Sequence, residues 1–127
     1  MSPLRGVAKG NQFAQKVADY LGTERRVLNG SKDKGDLVHH TWTVEVKAPG
    51  RGRPLDLSAA MNEAQIEASH AGTGQYAVIT RRCGYPTDES YFTIPLWMAK
   101  QVIPDLAPVQ LTLAPAVVVD VPTGDIL

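Results

Sequence analysis

A single cysteine in 127 residues, Cys83, excludes an internal disulfide and any site built from several thiolates, and it suits a reducing compartment. No stretch approaches the roughly 18 apolar residues that span a bilayer, and the opening MSPLRGVAKG lacks the apolar centre of a signal peptide. The expectation is a soluble, intracellular (cytoplasmic) protein without a membrane partner. Aromatic residues are scarce at 6% and charge of either sign does not dominate, since 13 Lys and Arg face 13 Asp and Glu. A net charge of zero argues against an indiscriminate coat for nucleic acid. What is present suffices for one core: 43% hydrophobic residues in a chain of this length bury about two-thirds of the unfolded surface.

The zero balance conceals an asymmetry. Residues 1–53 carry ten basic and five acidic side chains, a net of +5, while 54–127 carry three and eight. The basic half is the place to look for polyanion binding, the alternative being an ordinary solvated surface.

Phe13, Val17, Tyr20 and Leu21, with Ala14 and Ala18 on the same side, predict a first helix from Lys9 to Leu21 that stops at Gly22. Residues 25–28 form a strand candidate, and NGSKDKG at 29–35 is a loop. Two β-rich runs follow, 36–38 and 41–48, as a hairpin or neighbouring strands; in the second, Trp42, Val44 and Val46 face one side and Thr43, Glu45 and Lys47 the other. PGRGRP at 49–54 is an exposed basic connection. A second helix begins at a cap on Asp56 or Ser58, with Leu57, Met61, Ala64 and Ala68 as its apolar stripe and Ser58, Asn62, Gln65 and Ser69 as its polar face. Strands at 75–80 and 91–94 and a short helix at 96–102 complete the order α-β-β-β-α-β-β-α. Residues 104–127, with four prolines and no basic residue, read as an extended arm holding one strand at Ala116-Val117-Val118-Val119, so the domain proper is 1–103. Trp42 and Trp97 both fall on apolar phases and are expected in the core.

The chemistry concentrates at Asp36, Glu45 and Lys47. Strands carrying Asp36 and the Glu45-Val46-Lys47 face converge two carboxylates and an ammonium at a sheet edge. Paired carboxylate oxygens hold a hard divalent cation such as Mg²⁺, with Mn²⁺ as substitute, and a neighbouring lysine can orient or deprotonate water or neutralise charge at phosphorus. The alternative is a cross-face charge pair on an exposed strand. Gln65 is placed on a helix face across the sheet edge from Lys47, where it would position water or a phosphate. His39 and His40 read as edge or loop residues; being adjacent, on a strand they would face opposite sides and not easily ligate one metal. Arg51 and Arg53 sit where a flexible loop can grip a backbone phosphate, and Arg5, Lys9, Arg25, Arg26, Lys32 and Lys34 fall on elements around the same site.

KGDL at 34–37 followed by VEVKA at 44–48 resembles the PD-(D/E)XK nuclease superfamily. With Lys9-Gly10 before the first helix, Gly30-Ser31 ahead of Asp36 and the basic loop of Arg51 and Arg53, residues 9–82 resemble its archaeal-type Holliday junction resolvases. The resemblance implies an α/β restriction-endonuclease-like fold, a mixed β-sheet flanked by α-helices, with Asp36 and Glu45 as metal ligands, Lys47 as catalytic lysine and Ser31 near the scissile phosphate. It implies a metal-dependent, structure-selective DNA endonuclease that cuts four-way junctions. Paired cuts in a two-fold junction imply a homodimer, with the acidic, apolar arm as its dimerisation element. Another nicking, restriction or repair nuclease of the same fold, or a silent DNA-binding descendant, remains open. The family's first-helix glutamate is replaced by Ala14, with Gln12 and Gln15 beside it, which leaves a second metal unsupported.

Overall fold

The computed structural model describes the backbone of residues 3–26 and 34–107, and the side chains from Gly10 onward within those spans. Its elements are α1 (Pro3–Leu21), β1 (Glu24–Arg25), β2 (Leu37–Val38), β3 (Trp42–Lys47), α2 (Leu57–Ala71), β4 (Gln75–Thr80), a 3-10 turn (Thr87–Glu89), β5 (Tyr91–Thr93) and α3 (Leu96–Val102). The expected order of helices and strands is met. Two compact units result, Met1–Ile94 and Pro95–Leu127. Residues 108–127, including the strand expected at 116–119, lie outside the described residues, as do 27–33. No described helix is long and apolar enough to cross a membrane.

The first unit is mixed α/β. β3 and β4 run parallel in register from Trp42↔Gln75 to Lys47↔Thr80, as the crossover through α2 requires, and β5 pairs antiparallel with β4, Thr80 opposite Tyr91. β1 and β2 form a separate antiparallel pair, so β2 is not the hairpin partner of β3. The two are joined instead through Asp36, whose N–H donates to Val44 O at 2.8 Å.

The alternation read along β3 decides which helix covers which face. Trp42, Val44 and Val46 meet α1, where Phe13, Val17, Ala18, Leu37, Val44 and Ile79 form one buried cluster. Thr43, Glu45 and Lys47 face α2. Tyr20 and Leu21 do not join the α1 stripe as their spacing suggested: they are 65% and 52% exposed, because the buried face is Phe13, Ala14, Val17 and Ala18. On α2 the stripe is likewise rotated. Ala60, Ala64 and Ala68 are buried while Leu57 is largely exposed, since three methyl side chains let the helix lie close to β3 and β4 where leucine could not. Asp56 caps α2 by accepting from Ala59 N at 3.0 Å, and Gly72 closes it at φ 75°. Trp97, in the second unit, is 53% exposed rather than core; Trp42 is half-buried and packs edge-on to Phe92 at 5.5 Å.

Candidate metal and phosphate site

β3 delivers Glu45 and Lys47 to the α2 face, and the alanine stripe brings α2 near enough for two of its own side chains to reach them. Glu63 and Glu67 stand one helical turn apart beside Ala60, Ala64 and Ala68. Lys47 Nζ donates to Glu63 Oε1 at 2.8 Å and lies 3.2 Å from Glu45 Oε2. One carboxylate oxygen from each of Glu45, Glu63 and Glu67 falls within 4.8 Å of the others, and Glu45 and Glu67 are buried. A groove along α2, lined by Ala59, Asn62, Glu63, Ile66, Glu67 and His70, opens onto the cluster.

Three carboxylates around one ammonium carry more negative charge than the lysine can offset. Burial, a hydrogen bond shared with Glu67, and the charges of Asp36 and Glu67 push Glu45 up to about 10, so at neutral pH its carboxyl keeps its proton. Glu63 goes the other way. Its partial burial would raise it, but the hydrogen bond and charge of Lys47 prevail and hold it below the usual carboxylate range. Burial likewise works against the Lys47 ammonium, and Glu63 and Glu45 outweigh it, lifting the lysine above its ordinary value. Lys47 touches both acids but neutralises one; the more exposed Glu63 holds the negative charge and the buried Glu45 the proton. Glu45 Oε1 is buried with no protein donor within reach. It needs a proton of its own or a cation. Three convergent carboxylate oxygens fit a hard divalent ion, which Glu45, Glu63 and Glu67 would hold.

Asp36 comes to the same strand beside the three-carboxylate cluster. Gly35, at φ 95°, turns the chain there, and a Cβ on it would stand 3.0 Å from Thr43 Cγ2 and 3.1 Å from Val44 O. Asp36 then accepts from Val46 N at 2.7 Å through Oδ2, and its carbonyl accepts from Arg26 N. One carboxylate oxygen is thus committed to the backbone of β3, and Asp36 acts on Glu45 by its charge rather than within the three-carboxylate cluster. Ala14 is 7% exposed, packed in the apolar face of α1, so that helix presents hydrocarbon here and the acids come from α2. Gln15 is tied to Asp19 at 2.9 Å.

The other expected residues divide. Gln65 is exposed, about 200° around the helix from Glu63, so Glu63 occupies the place opposite Lys47 that was assigned to it. Arg51 and Arg53 are exposed at the end of β3, and Lys34 is exposed before Gly35. Arg25 and Arg26 are half-buried at β1. Ser31 and Lys32 lie outside the described residues, as does the side chain of Lys9. His39 and His40 lie in a turn, as expected for edge or loop residues, and stack in parallel at 5.3 Å; His39 Nδ1 accepts from Thr41 N and Trp42 N and so shapes the turn into β3. Cys83 is half-buried against Pro49 O, with Arg81 Nη2 at 3.5 Å.

Glu63 and Glu67 were absent from the sequence reading. Their signal was present: positions 60, 63, 64, 67 and 68 form one helical face by spacing, and only the assumption that glutamate marks the solvent side hides it. No family model, curated protein or solved structure matches the chain.

Proposed function

We propose that the chain is a metal-dependent DNA endonuclease of restriction-endonuclease-like fold, akin to the PD-(D/E)XK nucleases, that hydrolyses phosphodiesters in branched DNA, with the four-way junction as substrate and a homodimer as the acting species. The observation that supports it best is the lysine held between carboxylates from a strand and a helix, above a buried carboxylate oxygen that no donor satisfies. The Asp36, Glu45 and Lys47 spacing and the basic loop at Arg51 and Arg53 supply the DNA side of the reading.

A bound Mg²⁺ or Mn²⁺ supplies Lewis-acid stabilisation of phosphate charge and an acidified water. Lys47, held as an ammonium, is a donor to a phosphate oxygen as negative charge builds on it, not a base. Glu63, ionised and partly open to solvent, is the carboxylate able to accept a proton from the attacking water. Glu45 would hold the ion as a carboxylate, its proton passing to solvent. Asp36 fixes the Glu45 strand and adds the negative potential that favours that exchange.

The test is cleavage of a labelled four-way junction beside linear duplex and single strand, with Mg²⁺, Mn²⁺ or chelator, for wild type, Lys47→Met and Glu63→Gln. Metal-dependent paired cuts lost in both variants support the proposal. Cleavage of all duplexes alike keeps the nuclease and removes the junction. Cleavage that survives chelation or Lys47→Met refutes the site.

A further inference from the structure

Beyond Lys47, the sheet carries a second feature that metal and phosphate chemistry does not use. The register places Lys47 opposite Thr80 and Thr80 opposite Tyr91, one row across three strands, so Tyr91 stands about 10 Å from Lys47 at the backbone. The chain leaves β4 through Arg81 and Arg82. Arg81 N donates to Lys47 O at 3.0 Å and Arg81 Nη2 to Pro49 O at 3.1 Å, which fastens this loop to the basic connection at 49–53. The Arg82 guanidinium carbon lies 3.7 Å from the centre of the Tyr85 ring and 4.8 Å from that of Tyr91, and its Nη1 is 3.3 Å from Glu89 Oε1. Both rings remain more than half exposed, Tyr85 at 54% and Tyr91 at 57%. Between them and the phosphate loop, Gly84 at φ 84° lacks the Cβ that would stand 3.4 Å from Arg51 Nη2, so the Arg51 guanidinium lies directly beside the residue preceding Tyr85.

We infer that Tyr85, backed by Arg82 and flanked by Tyr91, is a stacking platform for an unpaired base of the DNA strand whose phosphate reaches Lys47. The inference rests on the proposed nuclease function and names the strand state that function acts on. An aromatic ring packed against a guanidinium on one side and open on the other offers a nucleobase a rigid π-face that needs no further ordering. The charge around it suits a phosphodiester chain: Arg82 lies against both rings, Arg51 stands beside Gly84, Arg81 is fastened to Pro49, and Glu89 is already engaged by Arg82. A ring that merely packed the loop would be covered by it, and these are not. Duplex DNA hides its base faces, so the platform selects strands that are frayed, nicked or branched.

A double-mutant cycle between protein and DNA tests this, with the full chain carrying Lys47→Met to suppress cleavage, in Mg²⁺. Affinity is measured for branched DNA with an intact base or an abasic nucleotide placed in turn near the branch, against Tyr85 and Tyr85→Ala. Tyr85→Ala should weaken binding of the intact strand by about 5- to 100-fold and leave the abasic strand almost unchanged at one position, while Tyr85→Phe binds as the parent does. Fluorescence of 2-aminopurine at that position should be quenched by the parent and not by Tyr85→Ala. Equal losses on intact and abasic DNA at every position, or no loss, overturn the platform while DNA binding and wild-type cleavage stand. A parent protein that binds no DNA overturns both readings.

Discussion

Replacing Glu45 with glutamine should make the metal-free protein more stable at neutral pH while abolishing its affinity for a divalent cation. The folded state holds a proton on Glu45 up to about pH 10, and the unfolded chain releases it near 4.5. Between those values the folded form binds the extra proton, so stability falls as pH rises and is fully present only below the unfolded value. At pH 7 the loss from this one group is about 2.5 pH units at about 1.4 kcal/mol each, or roughly 3 kcal/mol. Glutamine occupies the same volume without that titration. It forfeits the contact with Lys47, worth up to about 1 kcal/mol, leaving a net gain of roughly 2 kcal/mol and a rise in Tm of roughly 10 °C. Thermal unfolding followed by circular dichroism in chelator, from pH 4.5 to 8.5, reads the effect. The Tm gap between E45Q and wild type should open with rising pH and close towards pH 4.5. A gap of constant size, or a variant less stable than wild type at pH 8, would refute the account of Glu45 as a buried, proton-holding acid.

Other consequences follow from the same geometry. Lys47→Met should lower cleavage at least 100-fold while far-ultraviolet circular dichroism stays native, and should lower stability at pH 8 more than at pH 5, because the ionised Glu63 loses its partner. Gly35→Ala should cost about 1–3 kcal/mol in chemical denaturation and reduce cleavage with it, since the turn at φ 95° and the contact with Val44 O both resist a methyl group; an unchanged denaturation midpoint would sink this. The pair Arg51→Ala and Arg53→Ala should reduce the slope of log affinity against log salt by about 2 and weaken binding to all DNA alike, as titrations at several salt concentrations would reveal. Isothermal titration in buffers of different ionisation enthalpy should detect about one proton released per divalent cation bound at pH 7, and no binding heat for Glu45→Gln.

The strand that carries the site was legible because a period of two is unambiguous once one side is apolar: Trp42, Val44 and Val46 against Thr43, Glu45 and Lys47 fixed both the facing and the pairing of an acid with a lysine. Helix order and the Asp56 cap were legible for similar local reasons. The phase of α2 was not. Leucine and methionine outrank alanine in any hydrophobic pattern, yet close approach between helix and sheet selects the smallest side chain, so the buried stripe ran through Ala60, Ala64 and Ala68 and carried Glu63 and Glu67 inward with it. Gln65, chosen from the polar face, followed the wrong phase for that reason. Nor could spacing reveal that β2 would pair with β1, because that choice depends on Asp36 bridging to β3 through one backbone bond and one side-chain bond rather than a ladder.

The alanine stripe makes the separation of helix and sheet an adjustable dimension of the molecule. Ala64, wholly buried, sits one residue from Glu63 and three from Glu67, between the elements whose distance determines how widely the carboxylates stand apart. A glycine there would draw them together and a valine would spread them, with no ligand altered. If the proposed site takes a cation, its preference among ions of different radius would then rest on a methyl group outside the ligand set.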